Sequence, residues 1–205
     1  MVEEPKTPLD TDRLHRILDA AQKRFAHFGV GKTTMTEIAG DVGMSKASIY
    51  YYYPDKEHLF LAVIQKEMDE FIAAIIRITR EKGTATKKIK HYVSIRHSYF
   101  QRLVTLALMD EQSQIILKSS KEKIHQNLVL KEIKTVRQIL SGGVKEGEFG
   151  SFNTKSYADL LVTAMRGLRI LMIHKKEPID AEDYTIAEYY EKQLTALFLK
   201  AIKKS

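Results

Sequence analysis

The stretch SKASIYYYYPDK, residues 45–56, sets four consecutive tyrosines between a small polar cluster and a proline. Serine is a favoured helix N-cap, and a proline biases the residue before it away from helix, so the spacing predicts a short helix from Lys46 that Pro54 stops. At about 100° per residue, four adjacent rings point in every direction around such a helix, and one core cannot bury them all. Tyr52 and Tyr53 are read as facing inward. Tyr50 and Tyr51 then face outward, where a hydroxyl can donate to phosphate while the ring lies along the sugar.

The residues upstream give this helix a partner. Thr34-Met-Thr-Glu37 has the form of a capping box, a hydroxyl at a helix start with a glutamate three residues on. The helix it opens runs from Met35 to Gly43, with Ile38 and Val42 inward and Ala39 small enough for a close crossing. Gly43 supplies the left-handed backbone of the turn. Two short helices joined at a glycine form a helix-turn-helix, whose exposed face would be Ser45, Lys46, Ala47, Ser48, Tyr50 and Tyr51. That surface suits a major groove about 12 Å wide.

Before this pair, Leu14, Ile17, Leu18, Ala21, Phe25 and Phe28 make one apolar stripe on a helix closed by Gly29. After it, Asp55 caps a long helix from Lys56 to about Arg80, and Lys56 adds a cation beside that helix's N-terminal amides. Further helices are expected near 86–109, 121–145, 154–175 and 179–203. Breaks fall at Gly83, around Ser119-Ser120, at 142–153 and at Pro178. The fold class is all-α: a tail at 1–9 expected to be disordered, a three-helix helix-turn-helix domain at 10–56, and a larger helical domain at 57–205.

Bulk composition bounds the rest. The 205 residues are 44% hydrophobic and 29% charged with no cysteine, an ordinary globular profile without disulfides or thiolate metal sites. The N-terminus reads as no signal peptide, and LVTLALM at 103–109 is far short of a membrane span, so a cytoplasmic protein without a membrane partner is expected. The formal charge is +7, yet residues 1–56 hold eight Lys/Arg against eight Asp/Glu. The basic excess lies outside the helix-turn-helix. No glycine-rich phosphate loop, HExxH or nucleophile motif is present. Glu122-x-x-His125 has di-iron spacing without the second pair a di-iron bundle needs, so no metal or cofactor is assigned.

Taken together, residues 25–59, FAHFGVGKTTMTEIAGDVGMSKASIYYYYPDKEHL, resemble the DNA-binding segment of the tetracycline-repressor (TetR) family of bacterial transcription regulators. The resemblance rests on Phe25, Gly29, Thr33-Thr34, Ile38-Ala39, Gly43, Ser45, Tyr50-Tyr51, Tyr53, Lys56 and Leu59, and covers roughly a quarter of the chain. It implies that Thr34, Thr36, Tyr50, Tyr51 and Lys56 hold phosphates, with Lys46, Ala47 and Ser48 against base edges. Met44, Ala47 and Tyr53 depart from the usual valine, glycine and phenylalanine. Ala47 alters a groove-facing position, so no operator sequence carries over from relatives.

In the second domain, the helix near 154–175 is apolar on most sides, and 179–203 behaves similarly. Such helices need partners on two faces, one in their own chain and one in a second copy. Leu161, Met165, Leu168, Met172, Tyr190, Leu194, Leu197 and Phe198 are the expected homodimer contacts. The resemblance also implies a dimer, holding two recognition helices about 34 Å apart on a palindromic operator. Tyr92, Arg96, His97, Tyr99, Phe100 and Met109 interleave aromatic and polar groups and are the candidates for an effector pocket. The reading is a ligand-responsive DNA-binding regulator, most often a repressor in this family, and not an enzyme. The alternatives are a helical-bundle enzyme and an architectural DNA-binding protein without an effector.

Overall fold

The computed structural model describes residues 8–108, 111–173 and 181–204, with side chains for 10–102, 115–116, 128–168 and 182–204. Eight helices follow in order: α1 (Pro8–Lys32), α2 (Met35–Asp41), α3 (Lys46–Tyr52), α4 (Lys56–Arg80), α5 (Ala85–Leu108), α6 (Glu111–Lys145), α7 (Thr154–Ile173) and α8 (Ala181–Ile202). Among the described residues the chain is helical throughout, with one isolated bridge between Phe149 and Lys203. Two compact units emerge. One spans Met1–Asp69 and Arg102–Ile124, the other Glu70–Gln101 and His125–Ser205.

The first unit contains the helix-turn-helix. Ile17, Ala21 and Phe25 of α1 are buried as their spacing requires, and the Phe25 ring meets Phe60 of α4 edge-on at 5.5 Å. Leu59, Phe60 and Val63 are fully buried as well. The start of α4 is therefore core of this unit, which runs on to Asp69. Phe28 departs from the expected stripe. It is 50% exposed, set edge-on to His27 with the Arg24 guanidinium 5.9 Å from its ring. Just beyond it Gly29, with a φ of 81°, interrupts the helix, and the chain then resumes one more turn that buries Val30.

In the second unit, Phe71 of α4 stacks on Tyr99 of α5 with centroids 4.4 Å apart. Gly143 near the end of α6 permits a close approach, since a Cβ there would overlap the Phe149 ring and lie 2.7 Å from Ala85 Cβ. The expected break at Ser119-Ser120 is absent, and α6 is one helix of 35 residues. Serine inside a helix costs only a few tenths of a kcal/mol relative to alanine and keeps its backbone donor, so it marks a helix end poorly. The expected tail at 1–9 lies outside the described residues up to residue 7, and Pro8 and Leu9 already belong to α1. The break at Pro178 also lies outside them.

Candidate nucleic-acid interface

Local chemistry fixes α2 and α3 before any packing does. The Thr34 hydroxyl accepts the Glu37 amide at 3.2 Å, while the Thr34 amide donates to Glu37 Oε2 at 2.8 Å, closing the capping box. Gly43 takes a φ of 67° in the turn, and the Met44 amide reaches Ala39 O at 2.9 Å. Ser45 caps α3 by accepting the Ser48 amide at 3.1 Å.

Beneath α3, Ile49 is wholly buried, with Ala39 and Val42 also inside. Above it, Ser45, Lys46, Ala47, Tyr50 and Tyr51 are exposed and Ser48 is half-buried. Tyr51 is the most open of the rings at 68% exposure, with Tyr50 at 42%. The Lys46 ammonium stands 5.9 Å from the Tyr50 ring, so cation and phenol share one side of the helix. Tyr53 is buried, which pushes its phenol up to about 12. Tyr52 is half-buried, its hydroxyl donating to Asp10 Oδ1 at 3.3 Å.

Thr36 is exposed on the first turn of α2. Lys56 behaves differently from its reading in the sequence. Its ammonium donates to Thr33 O at 2.9 Å and Gly31 O at 3.2 Å, binding the start of α4 to the end of α1. An ammonium has three donors, so one is left for a phosphate. The first turn of α4 is likewise engaged: Asp55 accepts the His58 amide at 2.8 Å and the His58 ring at 2.8 and 2.9 Å.

Sequence reasoning missed a second set of residues. Arg24 of α1 grips α2, donating to Asp41 Oδ1 at 2.8 Å with its Nε on Oδ2, and lies 3.4 Å from Glu37. Arg16 donates to Val42 O at 2.8 Å, satisfying a carbonyl at the end of α2. The hydrogen bond from Arg24 holds the Asp41 carboxyl below its ordinary range, against a small opposing effect of burial. The signal was legible in principle. Arg16 and Arg24 stand about two turns apart on one flank of the stripe formed by Ile17, Ala21 and Phe25.

Five of the six expected effector-pocket residues are buried: Tyr92, Arg96, His97, Tyr99 and Phe100. Met109 lies outside the described residues. Tyr92 and Arg96 both donate to Glu132 Oε1, at 2.6 and 2.7 Å. Arg96 also meets Glu191 Oε1 at 3.4 Å, and His97 Nδ1 lies 3.0 Å from Glu191 Oε2. Burial opposes the Arg96 charge, but Glu132, Tyr92 and Glu191 outweigh it and raise its pKa. The cluster ties α5 to α6 and α8 with its charges internally paired.

The expected dimer residues divide in two. Leu161 and Met165 of α7 are buried in their own chain, while Leu168, Leu194 and Phe198 are half-buried. Tyr190 and Leu197 of α8 are exposed, together with Leu160, Ile186 and Tyr189. The outward register on α7 therefore passes through Leu160. Helical phase alone does not say which side of an apolar helix its own chain covers. The side chain of Met172 lies outside those described.

With this geometry in view, comparison with known proteins is decisive. The profile described as bacterial regulatory proteins, tetR family, matches residues 17–63. The crystal structure of a transcriptional regulator from Cytophaga hutchinsonii superposes with a TM-score of 0.82 at 37% identity, covering 94% of this chain and 99% of that one. The chain belongs to the TetR family and is a transcriptional regulator; its relatives are regulators rather than enzymes. It is similar to the fatty acid metabolism regulator protein of Bacillus subtilis, 28% identical over 136 residues, which are 65% of this chain and 69% of that protein. It is also similar to the HTH-type transcriptional regulator RutR of Escherichia coli, 35% identical over 80 residues, only 37% of that protein's length. Among the described residues no helix is long and apolar enough to cross a membrane, and no cluster of three metal-type side chains occurs.

Proposed function

We propose that the protein is a homodimeric repressor in the cytoplasm that binds a palindromic operator through α3 and is released by a small molecule. The observation that carries this reading is the outward face of α3. Lys46, Tyr50 and Tyr51 project from a helix whose underside is filled by Ile49, which leaves those groups available to DNA. Lys46, Ala47 and Ser48 meet base edges, while Thr34, Thr36, Ser45, Tyr50, Tyr51 and the remaining Lys56 donor meet phosphates. The exposed apolar surface of α7 and α8 supports a twofold interface between copies. Gly167 supports it too: it costs about 1 kcal/mol against alanine inside a helix, and a Cβ there would meet nothing in this chain. That leaves room for a partner helix.

Effector binding among the middle helices would favour a separation of the two α3 helices that misfits the operator, with α4 transmitting the change. Such coupling is typically worth about 1–3 kcal/mol per ligand. The name of the Bacillus subtilis relative makes a fatty-acid-derived effector the first to try. The test is fluorescence anisotropy with a palindrome from the gene's own upstream region against random duplex across a salt series. Preference for the palindrome by about 10³-fold or more supports a sequence-specific regulator. Equal affinity throughout would establish the architectural alternative instead.

A further inference from the structure

The positive charge of this molecule has an address. Residues 1–56 hold none of the net +7. Arg77, Arg80 and Lys82 close α4 and enter the following turn, and Lys87, Lys88 and Lys90 stand on the first turns of α5. Lys145 ends α6, while Lys203 and Lys204 follow α8. The backbone gathers these segments at one end of the second unit. Glu148 accepts the amides of Ala85 at 2.6 Å and Thr86 at 3.0 Å. Phe149 bridges to Lys203, and the Gly150 amide donates to Ile202 O at 2.9 Å. Lys88 reaches back to Thr79 O at 3.3 Å, joining α5 to the end of α4. Nine cations thus meet three carboxylates, Glu81, Glu146 and Glu148, which leaves six of the seven net charges on this one surface.

Folding does not call for that concentration. Arg77, Arg80 and Lys145 suit the negative ends of their helices, but Lys87 and Lys88 occupy the positive end of α5, whose first turn carries no acidic residue of its own. Glu81 is taken by the His91 ring at 2.9 Å, and Glu148 is committed to the amides of α5. All nine cations are exposed except Lys88, which is half-buried.

We propose that this end of the second unit is a further nucleic-acid surface, one that grips the phosphate backbone of a duplex segment lacking the operator. It goes beyond the helix-turn-helix reading; the random-duplex arm of the test below is independent of that reading, and the operator arm rests on it. The side-chain types choose the partner. Lysine is a compact charge on a flexible stem that follows a phosphate backbone in any register, and neutralised phosphates release counterions. A protein-binding surface would centre on tyrosine, tryptophan, methionine and arginine with lysine depleted. A membrane-binding surface would set aromatic or leucine side chains beside its basic ones, whereas these segments expose lysine. The neutral helix-turn-helix segment has no net charge with which to draw in a polyanion, and this surface supplies it.

The experiment compares the full-length protein with a variant carrying Lys82→Gln, Lys87→Gln, Lys90→Gln and Lys204→Gln, all at exposed positions. The probe is a fluorescent random duplex of about 30 base pairs titrated across a salt series. The salt slope of random-duplex binding is expected to fall by about 3 units in the variant, while its melting curve and its preference among sequences stay unchanged. A second arm immobilises the operator, saturates it with protein and adds the fluorescent duplex, which wild type captures and the variant does not. A Lys46→Ala, Tyr51→Ala double variant loses about one unit of random-duplex slope at most, against about 3 for the four-lysine variant, which separates this surface from α3. An unchanged slope in the four-lysine variant overturns the proposal, as does failure of wild type to capture the second duplex. Retention on anionic vesicles without retention of duplex overturns it equally, in favour of a membrane surface.

Discussion

Two tyrosine pairs sit on opposite ends of this sequence, and their contrast explains much of the molecule. Tyr50 and Tyr51 on α3 are exposed beside Ser45 and Lys46. Tyr189 and Tyr190 on α8 are exposed to a similar degree, beside Ile186, with Leu197 further along the same helix. The chemistry of the phenol is identical in both places. What differs is the company: hydroxyls and an ammonium around the first pair, and around the second the exposed aliphatic chains of Ile186 and Leu197 with the Glu188–Lys192 ion pair. A phenol among donors adds one more hydrogen bond to a polar partner, whereas a phenol among leucines adds rigid apolar area to a packed one. The same dipeptide therefore points to DNA on α3 and to a second copy of the chain on α8.

The largest effect expected concerns what lies behind the second pair. Glu191, adjacent to Tyr190, is almost wholly buried and faces both Arg96 and His97. Glu191→Ala removes a carboxylate that faces both Arg96 and His97 and should cost about 3–5 kcal/mol in urea denaturation. A loss below about 1 kcal/mol would show that the cluster is solvated and not part of the frame that holds α8.

Next comes the surface itself. Leu197→Asp should dissociate the dimer, with the dissociation constant rising at least about 30-fold, or 2 kcal/mol, in sedimentation equilibrium. Tyr51→Asp should leave that constant untouched while weakening duplex binding. If the two variants exchanged phenotypes, the assignment of partners from neighbouring residues would collapse.

These two regions were unequally legible. On α2 and α3 each short-range rule is tied to one atom: Thr34 to the Glu37 amide, Ser45 to the Ser48 amide, Gly43 to a positive φ. Such rules act within four residues, so a sequence displays them directly. On α7 the equivalent question, whether Leu160 or Leu161 faces out, depends on where α8 lies, and no local rule contains that. The structural contacts of Lys56 were hidden for a related reason. The carbonyls of Gly31 and Thr33 that receive its ammonium are more than twenty residues away, and their orientation follows from the irregular backbone at Gly29. Arg96 and His97 were candidates for an effector pocket, and their partners Glu132 and Glu191 come from helices far along the chain.

On α3 the effects should be smaller and sorted by type. Lys46→Ala is expected to cost about 1–3 kcal/mol at the operator and to relax sequence preference, as loss of a base contact does. Lys56→Ala should weaken all duplexes alike, flatten the salt slope by about one unit and lower stability by about 1 kcal/mol, since two carbonyls lose their donor. A salt slope unchanged in Lys56→Ala would assign that ammonium wholly to the fold.

The smallest effect separates Tyr53 from its three neighbours. Burial raises its phenol from 10.0 to about 12, so the folded state holds the proton more tightly than the unfolded chain does. For a group whose folded value is raised, the associated stability is complete below the unfolded value and disappears as pH climbs through the folded one. Tyr53 should therefore destabilise the molecule progressively between about pH 10 and 12, the interval between those two values. Tyr53→Phe should remove that contribution and keep the ring in place. A wild-type limb that failed to shift on Tyr53→Phe would mean that this ring opens to water before it ionises, and the clean division of the tyrosine run into inward and outward members would be lost with it.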